Sequence, residues 1–526
     1  FGTSYGDAIG GIVALESKEA DGDEATVYAQ ANLIMAGVQA TTPVSFKGQD
    51  AGVLSLSGRR SFADVYESSN EQYSLWPAFS DYVLRYDVRN AEGHHFRWTA
   101  LGSMDKYGRY IYDADDLDPY ERSVNPNLNM KRRFDGGVFR WDWRSDTYRA
   151  RTSLAVMRDD WRATLASVTS QGEQDSQQRL DRYSWVRHES IVIRDDVEWS
   201  VGFDQRLGQV SQNVQASIPN PVIRNDAPLL AQGESVDRRL WEWRQGAWVE
   251  PRINKGDWRV VTGLRVQALP LSQQAVLDPR IQVHRQFDWG RWHIGVGRYH
   301  QSPPFEQPEL TMFASSEQAS TGVEWQISQR MIFGADVWAK QVRDKWYTDP
   351  NGAVLVVGEE AVGGEMYFSS RWGDVEQWDG RVGVSSVNSR LLYENTTHLS
   401  PYSQPFFVNA MLGWKSEDWT LGARYRISAG LPLEQPLGTT LDANHDTYIP
   451  KWSTFPQERM PLYQKIDIQI ARVWQLEKSV LKAYCEAWAV PSSSNYLYPI
   501  YNYNYTEAQL VVGPAFVPLI GGSWER

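Results

Sequence analysis

The chain has 526 residues, with 53 Lys and Arg against 65 Asp and Glu and a net charge of −12. No stretch approaches the ~18 consecutive apolar residues of a membrane-spanning helix, which excludes a helical membrane protein. Its 24 Trp, 26 Tyr and 17 Phe exclude a disordered chain, the scattered arginines argue against a nucleic-acid partner, and the single cysteine, Cys485, excludes an intramolecular disulfide or a multi-cysteine metal site.

Period-2 alternation runs through nearly the whole sequence. It predicts strands over 24–35, 36–44, 51–67, 80–89, 94–106, 131–143, 148–161, 180–193, 197–211, 239–253, 258–270, 275–287, 291–301, 318–327, 331–346, 362–372, 378–393, 405–415, 419–429, 462–475, 480–490 and 503–524. Trp258, Val260, Thr262, Leu264 and Val266 alternate with Arg259, Val261, Gly263 and Arg265. Met331, Phe333, Ala335, Val337 and Ala339 alternate with Ile332, Gly334, Asp336, Trp338 and Lys340. Trp419, Leu421, Ala423, Tyr425 and Ile427 alternate with Thr420, Gly422, Arg424, Arg426 and Ser428. Ile466, Ile468 and Ile470 alternate with Lys465, Asp467 and Gln469. Each segment has one apolar face and one polar face.

A soluble β-sandwich, propeller or solenoid would alternate too, but three features favour a membrane barrel. Many strands run to 10–16 residues, against about 5–6 in soluble sheets. The polar face carries Arg, Lys and Asp in mid-strand, as a wet interior allows. Short polar turns at 90–93, 144–147, 194–196, 255–257, 288–290, 328–330, 416–418 and 477–479 alternate with long segments at 106–130, 207–238, 344–362, 386–404 and 429–461. The count of 22 strands is even, as a closed bacterial barrel requires, and barrels of that size are associated with plugged transporters. The expected fold is an all-β, 22-stranded antiparallel transmembrane β-barrel of the outer membrane, with short periplasmic turns and long extracellular loops. The excess of Trp and Tyr fits belts at the membrane–water boundary.

The opening segment, from Phe1 to Lys18, sets Tyr5, Gly6, Gly10, Gly11, Ile12 and Val13 in a Tyr-Gly-x-x-x-Gly-Gly-Ile-Val pattern. It resembles the stretch that closes the plug domain of TonB-dependent outer-membrane receptors and leads into the first barrel strand. The glycines are expected to let a plug strand pass close to other backbone. Residues 57–62 with Asp64, 77–82, 297–304, 459–467, and 494–496 with the Tyr-Asn run at 501–505 resemble later stretches of the same family, in the same order. The resemblance implies that residues 1–20 are the C-terminal end of a plug and 21–526 the barrel. It implies more of the plug ahead of residue 1, with a TonB-contacting segment, so the chain is expected to be part of a longer precursor; the ending Trp524-Glu525-Arg526, without the family's terminal aromatic residue, points the same way.

By this resemblance the chain is an integral protein of the bacterial outer membrane that binds and imports a scarce ligand with energy from the inner membrane. The ligand class stays open among a metal chelate, a vitamin, an oligosaccharide and a peptide. The implied partners are the TonB complex, outer-membrane lipids, and a companion lipoprotein or envelope-assembly proteins, with no cofactor. Two rivals stay open: a structural or interaction barrel that anchors partner proteins without transport, and a passive diffusion channel.

Local chemistry adds candidates, each with a plainer reading. Arg59, Arg265, Arg424, Arg426, Lys465 and Asp467 fall on polar faces, where they either clamp a plug or are solvated in a wet lumen. Trp241, Trp243, Trp248, Tyr496, Tyr498, Tyr501, Tyr503 and Tyr505 read as outer-loop aromatics that contact ligand or partner, or as an interfacial girdle. Asp442, Asn444 and Asp446, and likewise Asp113, Asp115, Asp116 and Asp118, have the spacing of calcium ligands, although the EF-hand Gly and Glu positions are not filled. Solvated acidic loops are the plainer reading of both. His94 and His95 are adjacent in a strand and point to opposite faces, so they cannot chelate one metal together. With eight His but no Gly-x-Ser-x-Gly segment, no enzymatic activity is expected. Cys485 shares the apolar face of its strand with Leu481, Ala483 and Ala487.

Overall fold

The structure is a computed structural model that describes residues 1–14, 16–17, 24–47, 49–62, 78–109, 127–166, 173–215, 235–303, 311–373, 377–442, 447–490, 495–502, 504–512 and 517–526. Twenty-two antiparallel strands close into one barrel. They are β1 (Thr26–Asn32), β2 (Met35–Phe46), β3 (Gln49–Ser61), β4 (Ala78–Arg89), β5 (His94–Arg109), β6 (Asn127–Arg144), β7 (Tyr148–Ala166), β8 (Glu173–Arg194), β9 (Val197–Gln215), β10 (Ser235–Lys255) and β11 (Trp258–Leu269). The second half comprises β12 (Gln274–Phe287), β13 (Gly290–Gln301), β14 (Ala314–Ser328), β15 (Met331–Thr348), β16 (Val354–Trp372), β17 (Trp378–Tyr393), β18 (Gln404–Lys415), β19 (Trp419–Ser428), β20 (Tyr463–Leu476), β21 (Ser479–Val490) and β22 (Val517–Glu525). Closure comes from β1 pairing with β22, from Tyr28 opposite Glu525 to Asn32 opposite Gly521. In hydrocarbon no backbone amide can be left unpaired, and only a ring of strands leaves no edge.

The alternation sorts side chains as the sequence implies. Val156, Val337, Val362 and Ile520 stand exposed on the outside, while Asp204, Arg265, Asp278 and Arg280 are buried inside. At one rim the turns are tight. Gly93 there has a φ of +82°, and a Cβ on it would sit 2.3 Å from the Arg144 carbonyl oxygen, so only glycine fits. Next to this turn His94 stacks outward between Phe96, Trp141 and Trp143, while His95 turns inward to Asp87 at 2.8 Å. The two histidines do face opposite ways.

Three expectations need correction. The segment 344–362 is not a long loop, because β15 and β16 continue through it to a tight turn where Asp349 accepts from the amides of Asn351 and Ala353 at 3.0 and 2.7 Å. Asp-Pro-Asn-Gly is turn chemistry for a hairpin, not loop composition. The segment 386–404 likewise begins as strand β17, turns at Glu394 and Asn395, and pairs back through Thr396–Leu399. The last predicted strand, 503–524, is divided: Ala508–Val512 pairs with Tyr496–Tyr501 in a separate outer ribbon, and β22 begins at Val517. An Asn502 side chain that accepts from the Thr506 amide at 2.8 Å makes the turn.

The outer segments pack on each other. Phe455 enters a small core with Val357 and Leu391, flanked by Tyr347 and Tyr393, and Asn351 exchanges two hydrogen bonds with the Trp452 backbone.

Candidate functional site: the lumen wall and the N-terminal segment

The inward positions of β9 to β15 form a wall of charged and aromatic groups, and the first residues of the chain lie against it. Glu250 on β10 accepts hydrogen bonds from the Thr3 amide at 2.5 Å and its hydroxyl at 2.8 Å. Arg280 on β12 donates to the carbonyls of Gly2 at 2.7 Å and Tyr5 at 2.8 Å, and its guanidinium stacks on the rings of Phe1 and Tyr299. Gln318 on β14 donates to the Ile9 carbonyl at 2.6 Å, while Ile9 itself packs on Ala314, Val342 and Trp346. Further along, Glu16 approaches Arg151 at 3.2 Å and Arg140 at 3.6 Å, and Ser17 accepts from Arg85 at 2.9 Å. The segment thus crosses the lumen from β9–β15 to β4–β7 before β1 begins.

Asp7 is the focus of this grip. It adopts a left-handed φ of 60°, which Asp tolerates. Its carboxylate meets Arg244 at 2.6 Å, Arg206 at 3.3 Å, the Ser302 amide at 2.8 Å and the Ser302 hydroxyl. Its own amide donates to Gln267 at 2.7 Å. Burial alone would raise the Asp7 carboxyl, but the two guanidiniums and the Ser302 hydrogen bonds outweigh it and hold the carboxyl below its ordinary value.

A stacked ladder runs beside this grip. The Arg187 guanidinium lies 5.4 Å from the Tyr5 ring and 4.7 Å from the Trp248 ring, and Arg265 stacks on the same indole at 5.5 Å. Arg265 also pairs with Asp204 at 2.6 Å. Cation–π contacts gain strength when desolvated, as here. Gly6 lets the segment approach, because a Cβ there would lie 2.0 Å from Arg265 Nε. Gly10 and Gly11 differ: among the described residues a Cβ on either meets nothing within 4 Å.

No protein-family model matches the sequence, and no curated protein matches it either. Solved structures do match. The ferric yersiniabactin uptake receptor FyuA from Yersinia pestis aligns over 96% of this chain and 80% of its own, with 11% identity and a TM-score of 0.68. The outer membrane transporter YddB from Escherichia coli aligns over 100% of this chain and 83% of its own, with 9% identity and a TM-score of 0.65. The copper transporter OprC aligns over 97% and 81%, with 12% identity and a TM-score of 0.66. This is the barrel fold of the TonB-dependent outer-membrane receptors.

Within this barrel the sequence candidates separate. Of the six lumen charges, Arg265 reaches the N-terminal segment, at 3.4 Å from the Thr3 carbonyl. Arg59 instead pairs with Asp81 at 2.7 Å, Arg424 donates to Asn409 at 2.8 Å, and Arg426 and Lys465 both hold Asp467, at 3.0 and 2.9 Å. Trp241, Trp243 and Trp248 are not loop residues, because all three lie within β10. Trp248 is corrected furthest: it is buried in the lumen and donates to Ser200 at 3.3 Å, since its even position faces inward while Trp241 and Trp243 share the outward register of Val249. Tyr501 ends the outer ribbon strand Tyr496–Tyr501 and is buried against Trp452. Asp442 ends an outer ribbon strand, whereas Tyr503, Asn444, Asp446, Asp113, Asp115, Asp116 and Asp118 lie outside the described residues. Cys485 is exposed on the outer face opposite Ile470 and Ile520.

The residues that sequence reading missed are Asp7, Glu250, Arg280, Arg244, Gln267 and Gln318. Those on strands share one available signal, since each is a polar residue in mid-strand at an inward position of β10 to β14.

Proposed function

We propose that the chain is the barrel of a TonB-dependent outer-membrane receptor that imports a scarce ligand, with residues 1–20 as the end of its plug. The observation that carries this reading is the grip of the lumen wall on the N-terminal segment through Glu250, Arg280 and the Asp7 cluster. A lumen as wide as that of a 22-stranded barrel breaches the permeability barrier unless something fills it. A filler held by hydrogen bonds and ion pairs, not by a continuous apolar core, can be pulled loose without dismantling the wall. The TonB complex is the partner that would pull. Two of the similar structures carry names of a copper transporter and a ferric chelate receptor, so a metal chelate is the first ligand class to test.

The test is chelate uptake in cells that lack this protein, compared with cells that lack TonB. Equal loss in both supports the reading, and uptake that survives both removals sinks it. A second reading, a structural barrel that anchors envelope proteins, draws on one observation. The outer ribbon of Pro436–Asp442 and Thr447–Trp452 leaves three large apolar side chains, Leu437, Leu441 and Ile449, exposed. A stoichiometric protein partner, recovered from cells with unchanged uptake, would favour that alternative.

A further inference from the structure

On the outer face of the barrel, at the short-turn rim, one construction occurs twice. Arg285 on β12 stands directly opposite Trp258, the first residue of β11. Its guanidinium stacks on that indole at 4.9 Å and on the ring of Phe287 at 4.6 Å. On another side of the ring, Arg472 on β20 stands directly opposite Trp419, the first residue of β19. It stacks on that indole at 5.4 Å and on Trp474 at 5.2 Å. Alternation turns both arginines toward the membrane: Arg285 shares its face with exposed Leu277 and Ile281, and Arg472 with exposed Ile468 and Ile470. Each therefore sits where the apolar band meets the girdle of tryptophans.

These stacks differ from those in the lumen by one missing partner. Arg265 stacks on Trp248 and also pairs with Asp204 at 2.6 Å. Arg280 stacks on Tyr299 and also pairs with Asp278 at 3.3 Å. Arg285 and Arg472 make no hydrogen bond or ion pair among the described residues, and Arg285 Nε is buried without a partner. The acids of the adjacent turns, Asp257 and Asp288 near the first and Asp418 and Glu477 near the second, pair with neither. A guanidinium cannot shed its proton, and at an apolar boundary it is costly until an anion meets it. Cation–π contact uses the ring faces and consumes no N–H, so the donor fork stays available. The short turns of an outer-membrane barrel are periplasmic. The anion found at this level is the phosphate diester of lipid in the periplasm-facing leaflet.

We propose that Arg285 with Trp258 and Phe287, and Arg472 with Trp419 and Trp474, form two phospholipid headgroup sites. In each, the guanidinium fork donates to the phosphate diester of one lipid, and the rings lie against its glycerol and upper acyl chains. The membrane supplies the acid that the lumen arginines find in the protein, and the short-turn rim is pinned to the phosphate plane at two places. The inference rests on the barrel's place in the membrane and not on import.

The test is native mass spectrometry of the full chain released from detergent micelles. Dioleoyl phosphatidylglycerol is the probe, and dioleoylglycerol, with the same chains and no phosphate, is the control. The phospholipid is expected to be retained and the control lost. Arg285→Gln and Arg472→Gln should each remove one tightly held lipid, an affinity loss of about tenfold or more per site, as loss of a charge-assisted hydrogen bond implies. Lysine at the same positions keeps the charge but not the fork, so Arg285→Lys and Arg472→Lys should restore at most part of it. Heat-modifiable migration on gels confirms that each variant is a folded barrel. Equal retention of dioleoylglycerol, full recovery by lysine, or unchanged retention in the folded double glutamine variant would overturn the proposal. The last is the result expected if the two arginines only reach past the girdle to water. Retention in micelles needs neither TonB nor an energised membrane, so this result and the uptake result can fail separately.

Discussion

The wall formed by β9 to β15 and the wall formed by β18 to β21 carry charged residues in the same inward register, yet they use them differently. On the first, Glu250, Arg280, Arg244 and Arg206 turn to the N-terminal segment. On the second, Arg426, Lys465 and Asp467 satisfy one another across neighbouring strands. Period-2 alternation decides which charges face the lumen, but the path of residues 1–17 decides which of them carry load. If that contrast is right, substitutions on the first wall should free the segment, and equivalent substitutions on the second should do little.

Arg280→Ala is expected to have the largest effect. It removes the donor to the Gly2 and Tyr5 carbonyls, and it withdraws the guanidinium that pairs with buried Asp278. Breaking a buried charge pair costs about 3–5 kcal/mol, enough to release the segment. Hydrogen exchange over residues 1–14 should rise sharply while the amides of β11 to β13 stay protected. If the barrel itself unfolds, Arg280→Lys, which keeps the charge but loses the fork, should still raise exchange in the segment.

Asp7→Asn comes next. It leaves Arg244 and Arg206 facing a neutral group, and the loss of charge-assisted hydrogen bonds should weaken docking by about 2–3 kcal/mol. The same contacts make the docking pH-dependent. Because the Asp7 carboxyl is held below its ordinary value when docked, its contribution is fully present above the undocked value, near pH ~4. It is lost as pH falls through the lower docked value. The segment's protection, its exchange measured against the intrinsic amide rate at each pH, should therefore be flat from neutral pH down to about pH 4–5 and fall below that. The Asp7→Asn variant should lack this acid limb, and an identical acid limb in the variant would show that another group is responsible.

Gly6→Ala should follow, at about 1–3 kcal/mol, because its Cβ collides with the Arg265 guanidinium and that group is already fixed by Asp204 and Trp248. Gly11→Ala should cost far less, since a Cβ there meets nothing among the described residues. Comparing the two variants isolates close approach from the shared motif.

These predictions also mark how far the sequence could be read. The strand number and the faces were legible because lipid allows only a closed ring of alternating strands, and that pattern repeats in every strand. The ends of β16, β17 and β22 were not, because Asp349, Asn395 and Asn502 make tight turns whose composition looks like that of a long loop. Trp248 went astray for a different reason. Its neighbours Trp241 and Trp243 suggested one aromatic cluster, but Trp248 stands five residues from Trp243 and seven from Trp241, and an odd spacing along a strand reverses the face. Asp7 fell in the unspecified positions of the glycine motif, so nothing in one dimension marked it as the anchor. The partners of the N-terminal segment depend on how the wall curves around it, which spacing along a strand does not contain.

The smallest effect should come from Arg59→Ala. Arg59 pairs with Asp81 at 2.7 Å and donates through both Nε and Nη2, so its geometry looks stronger than that of Arg265. Its side chain, however, is half exposed to the water of the lumen and touches no described part of the N-terminal segment. Exposed pairs of this kind contribute below about 1 kcal/mol. Segment exchange in Arg59→Ala should match that of the unaltered protein, and salt should not change the comparison. An Arg59→Ala variant that frees residues 1–14 as Arg280→Ala does would mean that the grip is spread around the whole ring, and the division into two walls would fall.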